Sequence, residues 1–187
     1  MKLAKNLDRL GTETAFSVLA EAKKLEAQGK EMIHLGLGQP DFMTPKHIMD
    51  AAKKAIDDGH HGYVLANGIV ECRQAVSRKI KSLYKKEVSP DRIMIMPGGK
   101  PTMYFAIQMI GEPGAEIVHP TPGFPIYESM INYTGAKAVP YDLTKEKDLK
   151  FDPEKILSLI TDKTRLVILI NPNNPTGSFV EKPAIDF

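Results

Sequence analysis

The apolar run Leu166-Val167-Ile168-Leu169-Ile170 ends directly in Asn171-Pro172-Asn173-Asn174-Pro175-Thr176-Gly177, and no other feature narrows the fold so far. Apolar residues at every position, without polar alternation, predict a strand covered on both faces, as in a parallel sheet. Two prolines then stiffen the turn at the strand's carboxyl end, where open α/β sheets bind ligands, and Asn174 brings an amide side chain to that place. By itself the run also reads as a turn that merely stops a strand, because Pro, Asn and Gly dominate turns for local steric reasons.

The rest of the chain supplies the rhythm such a strand needs. From Thr12 onward, Ala15, Val18, Leu19, Ala22 and Leu25 recur at helical spacing, with Gly29 just past the end. Thr44 reads as the cap and Pro45 as the first residue of a second helix, whose Ile48, Ala51, Ala52, Ala55 and Ile56 share a face. A third places Ile69, Cys72, Val76, Ile80 and Leu83 on its apolar side and Arg73, Arg78, Lys79 and Lys81 on a solvated one. After Ser89-Pro90-Asp91, short apolar runs alternate with helical stretches, the βαβ rhythm of an α/β fold. Strands are expected at Ile93 to Met96, at Ile117 and Val118, near Ala136 to Val139, and from Leu166 to Ile170. Helices are expected from about Pro101 to Ile110, around Tyr127 to Tyr133, after the cap Asp152-Pro153-Glu154, and from Glu181 onward. Four strands with a crossover just begun read as part of a larger domain, because parallel sheets need cover on both faces.

Composition excludes several function classes. Apolar content of 42% and charged content of 26% are near globular averages, which argues against disorder. A net charge of +2, with basic residues scattered among acids, leaves no basic stripe for nucleic acid. No apolar run approaches the ~20 residues that span a bilayer, and Met1-Lys2-Leu3-Ala4-Lys5-Asn6 lacks the apolar core of a secretion signal, so the cytoplasm is the default address. Cys72 is the single cysteine, which excludes an intrachain disulfide and a multi-cysteine metal site. His34, His47, His60, His61 and His119 contain no His-x-x-x-His pair and no neighbouring cysteine, so metal ligation has no support.

The run at 171–177 resembles the Asn-Pro-x-Asn-Pro-Thr-Gly motif of the fold-type I, pyridoxal-phosphate-dependent aminotransferases of class I/II. Three further segments agree in the same order: Gly36-Leu37-Gly38-Gln39-Pro40-Asp41-Phe42, Tyr63 followed by Gly68, and Pro97-Gly98-Gly99-Lys100 with Phe124 downstream. The resemblance covers nearly the whole chain and implies the N-terminal half of such an enzyme. It implies an α/β fold, the three-layer mostly parallel sheet of the large, cofactor-binding domain, incomplete here and preceded by an N-terminal helical segment. Residues 1–60 would be the N-terminal arm and helices contributing to the small domain, and residues 61–187 the first part of the large domain.

The same resemblance implies roles. Pyridoxal 5′-phosphate needs anion donors for its phosphate, a flat group against its ring, a hydrogen bond to its phenolic oxygen, and a lysine with an acid opposite the ring nitrogen. Gly99 and Lys100 would give backbone donors to the phosphate at a strand-to-helix junction. Gly-Gly there is also an ordinary tight turn. Phe124, in Pro120-Thr121-Pro122-Gly123-Phe124, matches the ring-stacking position, and otherwise reads as a core residue at a helix start. Asn174 would donate to the phenolic oxygen, Tyr63 would reach the phosphate of a neighbouring subunit in a homodimer with shared sites, and Gly38 would meet the substrate carboxylate or else lie in a plain loop. The Schiff-base lysine, the acid and the carboxylate-binding arginine would lie beyond Phe187, so the 187 residues alone are expected to be inactive. The implied reaction is amino-group transfer between an amino acid and a 2-oxo acid. A carbon–sulfur lyase of the same fold and a non-catalytic fragment are the alternatives.

Overall fold

A computed structural model describes residues 2–11, 14–145 and 149–186. Thr12, expected to begin the first helical pattern, lies outside them, as does the side chain of Ala15. The chain packs as two units, Met1–Ser17 with Gly98–Phe187, and Val18–Pro97.

The unit Val18–Pro97 is helical. The helix α1 (Thr14–Ala27), which enters it at Val18, closes on Gly29, whose φ of 84° suits a residue without Cβ; Lys30 N–H returns to the Leu25 carbonyl at 3.2 Å. Helix α2 (Lys46–Asp57) starts one residue later than the sequence suggests. Pro45 holds an extended ψ of 137° and is the cap position itself, its carbonyl accepting from Ile48 and Met49, so Thr44 is not the cap.

Helix α3 (Val70–Tyr84) carries the larger correction. Arg73, expected on a solvated face, is 4% exposed. It stands four residues after Ile69 and three before Val76, so helical geometry puts it on the apolar stripe. The cost of burying a guanidinium is offset by oxygens: Nε donates to Gly68 O at 3.2 Å, and Nη1 donates to Pro90 O at 2.9 Å and Asp91 Oδ1 at 3.3 Å. Arg73 thus ties α3 to the turn before it and to the 3₁₀ turn Pro90–Arg92. Gly68 has to be glycine: its φ is 92°, and a Cβ there would meet Ile95 Cγ1 at 2.8 Å. The strand expected at Ile93 to Met96 does not form, because a strand needs a paired neighbour, and among the described residues this segment has only a turn bond, Ile93 N–H to Pro90 O at 3.2 Å, and one tie to another segment, Ile95 N–H to Asn67 O at 3.1 Å.

The unit containing Gly98–Phe187 holds the sheet. Strands β1 (Glu116–Thr121), β2 (Lys137–Asp142) and β3 (Thr164–Val167) are parallel, in the order β2-β1-β3. The helices are α4 (Gly99–Ile110), α5 (Ile126–Thr134), α6 (Pro153–Leu159) and α7 (Lys182–Asp186). Asp152 caps α6 as its sequence predicts, Oδ1 accepting from the Glu154 and Lys155 N–H groups at 3.0 and 3.4 Å.

Alternation along β1 divides the core. Ile117 faces a cluster with Ile107 of α4 and Met130 and Ile131 of α5; Val118 faces Tyr141, Leu143 and Ile156 of α6; both are 0% exposed. Helices therefore cover both faces of the sheet, as expected of a parallel one. The ladder of β3 ends at Val167, short of the expected Ile170, although Ile168 N–H still reaches Val118 O at 2.9 Å. Leu169 is exposed, so cover on both faces stops there.

Candidate active site

The sheet order fixes where a ligand can enter. From β1 the chain passes through α5 to β2 on one side, then through α6 to β3 on the other, and α5 and α6 lie on opposite faces. The connections diverge between β1 and β3, and the carboxyl ends of strands at such a reversal frame a crevice. Two loops emerge there: Thr121 to Phe124 from β1, and Asn171 to Gly177 after β3.

Each loop is shaped by its own chemistry. A Cβ on Gly123 would lie 2.4 Å from the Pro120 carbonyl oxygen, so only glycine permits the tight turn that presents Phe124. Phe124 is partly buried, with Tyr127 edge-on at 6.4 Å between ring centroids and 81° between planes. Burial raises the Tyr127 phenol above its ordinary range, so it stays protonated. In the second loop Asn171 Oδ1 accepts from Val180 N–H at 3.0 Å, and Gly177 N–H returns to the Asn173 carbonyl at 2.8 Å.

The start of α4 joins them. Gly98, with φ 93°, precedes Gly99 and Lys100 in the first turn, where backbone N–H groups have no intrahelical acceptor, and no heavy atom lies within 4 Å of a Cβ built on Gly98. Lys100 Nζ approaches the Phe124 ring to 5.6 Å of its centroid. One packed unit therefore contains Gly99, Lys100, Phe124 and Asn174, and Asn174 is exposed to solvent. Gly38 and Tyr63 belong to the other unit, where both are exposed. A cavity of about 280 Å³ opens between the end of β2 and α6, lined by Tyr141, Leu143, Lys155 and Ile156 among others, and none of these six residues lines it.

Comparison with known proteins fits this arrangement. The family model for aminotransferase class I and II matches residues 30–186. The chain belongs to that aminotransferase family. An aspartate aminotransferase of Bacillus subtilis is 36% identical over 177 residues, 95% of this chain and 45% of the relative. The (5-formylfuran-3-yl)methyl phosphate transaminase of Methanocaldococcus jannaschii is 35% identical, over 99% of this chain and 48% of that protein. The solved structure of Thermus thermophilus aspartate aminotransferase with maleate superposes with a TM-score of 0.93 at 30% identity, covering 100% of this chain and 49% of that one. The chain thus spans about half the length of the relatives it matches, and its parallel α/β sheet is that of the fold-type I aminotransferases.

Aminotransferases of this family generally use pyridoxal phosphate, and the residues fit such a group. Unobstructed backbone at Gly98 leaves space for an anion at a helix start, the cation of Lys100 is nearby, and Phe124 offers a flat face within reach. Two residues at this site are absent from the sequence-based set. Asn173 is 7% exposed between exposed Asn171 and Asn174. Its burial has no periodic signal in a turn, although an amide flanked by turn residues is a frequent local hydrogen-bonder. Tyr127 was read only as a helix residue; its three-residue spacing from Phe124 is the available signal.

Proposed function

We propose that this chain is the cofactor-anchoring portion of a pyridoxal-phosphate-dependent aminotransferase of amino acid metabolism, which moves an amino group between an amino acid and a 2-oxo acid. The observation that carries the reading is the meeting of the α4 start, the Phe124 turn and the Asn171–Gly177 loop within one unit, at the reversal of a parallel sheet. Family membership supports it.

When bound, the cofactor supplies the electron sink for bond breaking at the substrate's α-carbon. The chain's own residues hold and orient it. Backbone N–H groups of Gly99 and Lys100 would receive the phosphate, Phe124 would offer its face to the ring, and the Asn174 amide would donate to the phenolic oxygen and favour its anion. Tyr63 would donate to the phosphate held by the neighbouring subunit of a homodimer, and the Gly38 backbone would meet the substrate carboxylate. Residues 1–60 contribute to the small domain and 61–187 to the large one in the assembled enzyme, a partition distinct from the packing units. The cytoplasm is the proposed compartment. Among the described residues no helix is long and apolar enough to cross a membrane.

No residue among these 187 is assigned as the Schiff-base lysine, so a preparation of residues 1–187 alone is expected not to transaminate. The test uses the complete enzyme with pyridoxal phosphate, an amino acid donor and a 2-oxo acid acceptor, following the new amino acid chromatographically. Transfer that requires both substrates is the expected result. Release of ammonia from the donor without an acceptor would reassign the chain to a lyase, and failure to retain pyridoxal phosphate through dialysis would end the cofactor reading.

A further inference from the structure

In the loop after β3, backbone and hydroxyl bonds return to near neighbours in sequence, and the Asn173 side chain reaches across to the turn after β1. Asn173 N–H donates to Ser178 O at 2.7 Å, Gly177 N–H donates to Asn173 O at 2.8 Å, and the Thr176 and Ser178 hydroxyls pair at 2.7 Å. Asn173 Nδ2 has two protons and uses them in opposite directions. One goes to Thr176 Oγ1 at 2.8 Å, inside the loop; the other goes to Pro122 O at 3.3 Å, in the neighbouring loop. Its Oδ1 is buried with no hydrogen-bond partner among the described residues. Such burial is costly, so the amide is retained against a penalty that a leucine of similar volume would avoid.

We propose that Asn173 is a positioning residue that locks the turn carrying Phe124 to the turn carrying Asn174, so that one buried amide sets both the face contact and the in-plane contact to the cofactor ring. The inference rests on the reading of Phe124 and Asn174 as cofactor contacts. Mechanically the lock is short. Pro122 precedes Gly123, whose approach to Pro120 leaves no slack, and Phe124 follows at once. Fixing the Pro122 carbonyl therefore fixes the departure of the Phe124 ring. On the other side Asn174 is the very next residue after the anchor. A single displacement at Asn173 moves both contacts together, whereas two independent turns would move separately.

The test has two arms. In cofactor-free protein, amide exchange is followed at Gly177, bonded to Asn173 O, and at Tyr127, whose N–H donates to Phe124 O at 3.2 Å. Asn173→Leu should accelerate both by about tenfold, the factor for losing roughly one charge-free hydrogen bond, while Ile117 and Val118 stay slow. Thr176→Val removes the inner acceptor together with the hydroxyl's ties to Ser178, leaves the bond to Pro122 O in place, and should accelerate Gly177 and not Tyr127. Acceleration confined to Gly177 in Asn173→Leu, or equal acceleration of Tyr127 in Thr176→Val, would overturn the lock, and the Thr176→Val comparison stands even where the Leu variant unfolds. In the loaded holoenzyme, Asn173→Leu should both loosen pyridoxal phosphate and raise the pH midpoint of its visible band, with Arg78→Met, on an exposed position of α3, changing neither. Coupled exchange without a spectral change would leave the lock standing and remove the cofactor contacts; a spectral change without coupled exchange would do the reverse.

Discussion

The ammonium of Lys100 lies 5.6 Å from the centroid of the Phe124 ring. The two residues come from different structures, the first turn of α4 and the turn after β1, so the proposed phosphate side and ring side of the site are adjacent in space. A cation over an aromatic face adds about 0.5–1 kcal/mol at an exposed site, enough to bias the ring's orientation. Aromatic stacking adds about 0.5–1.5 kcal/mol beyond burial, so Phe124→Leu should weaken pyridoxal phosphate retention by about two- to tenfold, with Phe124→Trp restoring it. Equilibrium dialysis of the complete enzyme measures this, and unchanged retention in the Leu variant would reject the ring contact.

Asn174→Ala removes a donor that favours the anionic phenolic oxygen. In the complete enzyme the pH midpoint of the cofactor's visible band should rise by about one to two units, roughly 1.5–3 kcal/mol. A spectroscopic titration with no rise would refute the assignment.

Tyr63 is fully exposed in this chain, as a residue reaching a neighbouring subunit would be. Tyr63→Phe should leave the fold intact and weaken cofactor retention by about 1.5–3 kcal/mol, the worth of one hydrogen bond to a charged group. Mixed dimers give the sharper measurement. Pairing the variant with a subunit dead at its Schiff-base lysine should leave one site like wild type and gather both defects in the other; one dead site and one with the Tyr63→Phe defect would mean that Tyr63 serves its own chain.

Arg73 is a stability element. Arg73→Met keeps the aliphatic stem but takes the side-chain donor from the Gly68 carbonyl and leaves the Pro90 carbonyl with the Ile93 N–H alone, at a cost of about 1–3 kcal/mol. Arg78→Met, on an exposed position of the same helix, should stay within about 0.5 kcal/mol. Urea unfolding compares them, and equal midpoints would show that the Arg73 bonds contribute nothing.

His119 is 4% exposed, and its Nε2 has no hydrogen-bond partner among the described residues. Burial lowers its pKa below 6.5, more than the nearby Glu128 carboxylate raises it. The folded state therefore favours the neutral ring, and the unfolded state binds the extra proton below pH 6.5. Stability from this residue is present above that pH and is lost as pH falls toward the folded-state value. Relative to His119→Gln, the wild type should lose stability on acidification from pH 7 to 5; parallel unfolding curves across that range would contradict a buried neutral ring.

What the sequence disclosed was the chemistry of single positions and short periods. Asp152-Pro153-Glu154 announced its helix because a cap is a bond between near neighbours. The strands at Ile117–Val118 and Ala136–Val139 were visible as apolar runs, and β3 was visible but too long, since Leu169 loses its cover for tertiary reasons. Ile93 to Met96 has strand composition without a strand's partner, which no local pattern can report. Arg73 was misplaced because residue type outweighed spacing, although spacing put it on the buried stripe. At the candidate site, the turns that carry Asn174 and Phe124 were legible from their prolines and glycines. Asn173 was not, because its part depends on an oxygen 51 residues away in the chain.

Strand β1 is paired with β2 along its whole length and with β3 from Glu116 to Val118, and it is covered on both faces, so a slip in either direction breaks packing. Deleting one residue between Glu116 and Thr121 would exchange the two half-cores, pushing Val118's side of the strand toward α5 and Ile117's toward α6. Length variation is thus barred from the middle of the sheet and confined to connections such as Gly111 to Gly114, at the strand's other end from the loops that carry Phe124 and Asn174. The proposed site can therefore be re-edged residue by residue while its distance from the sheet stays constant.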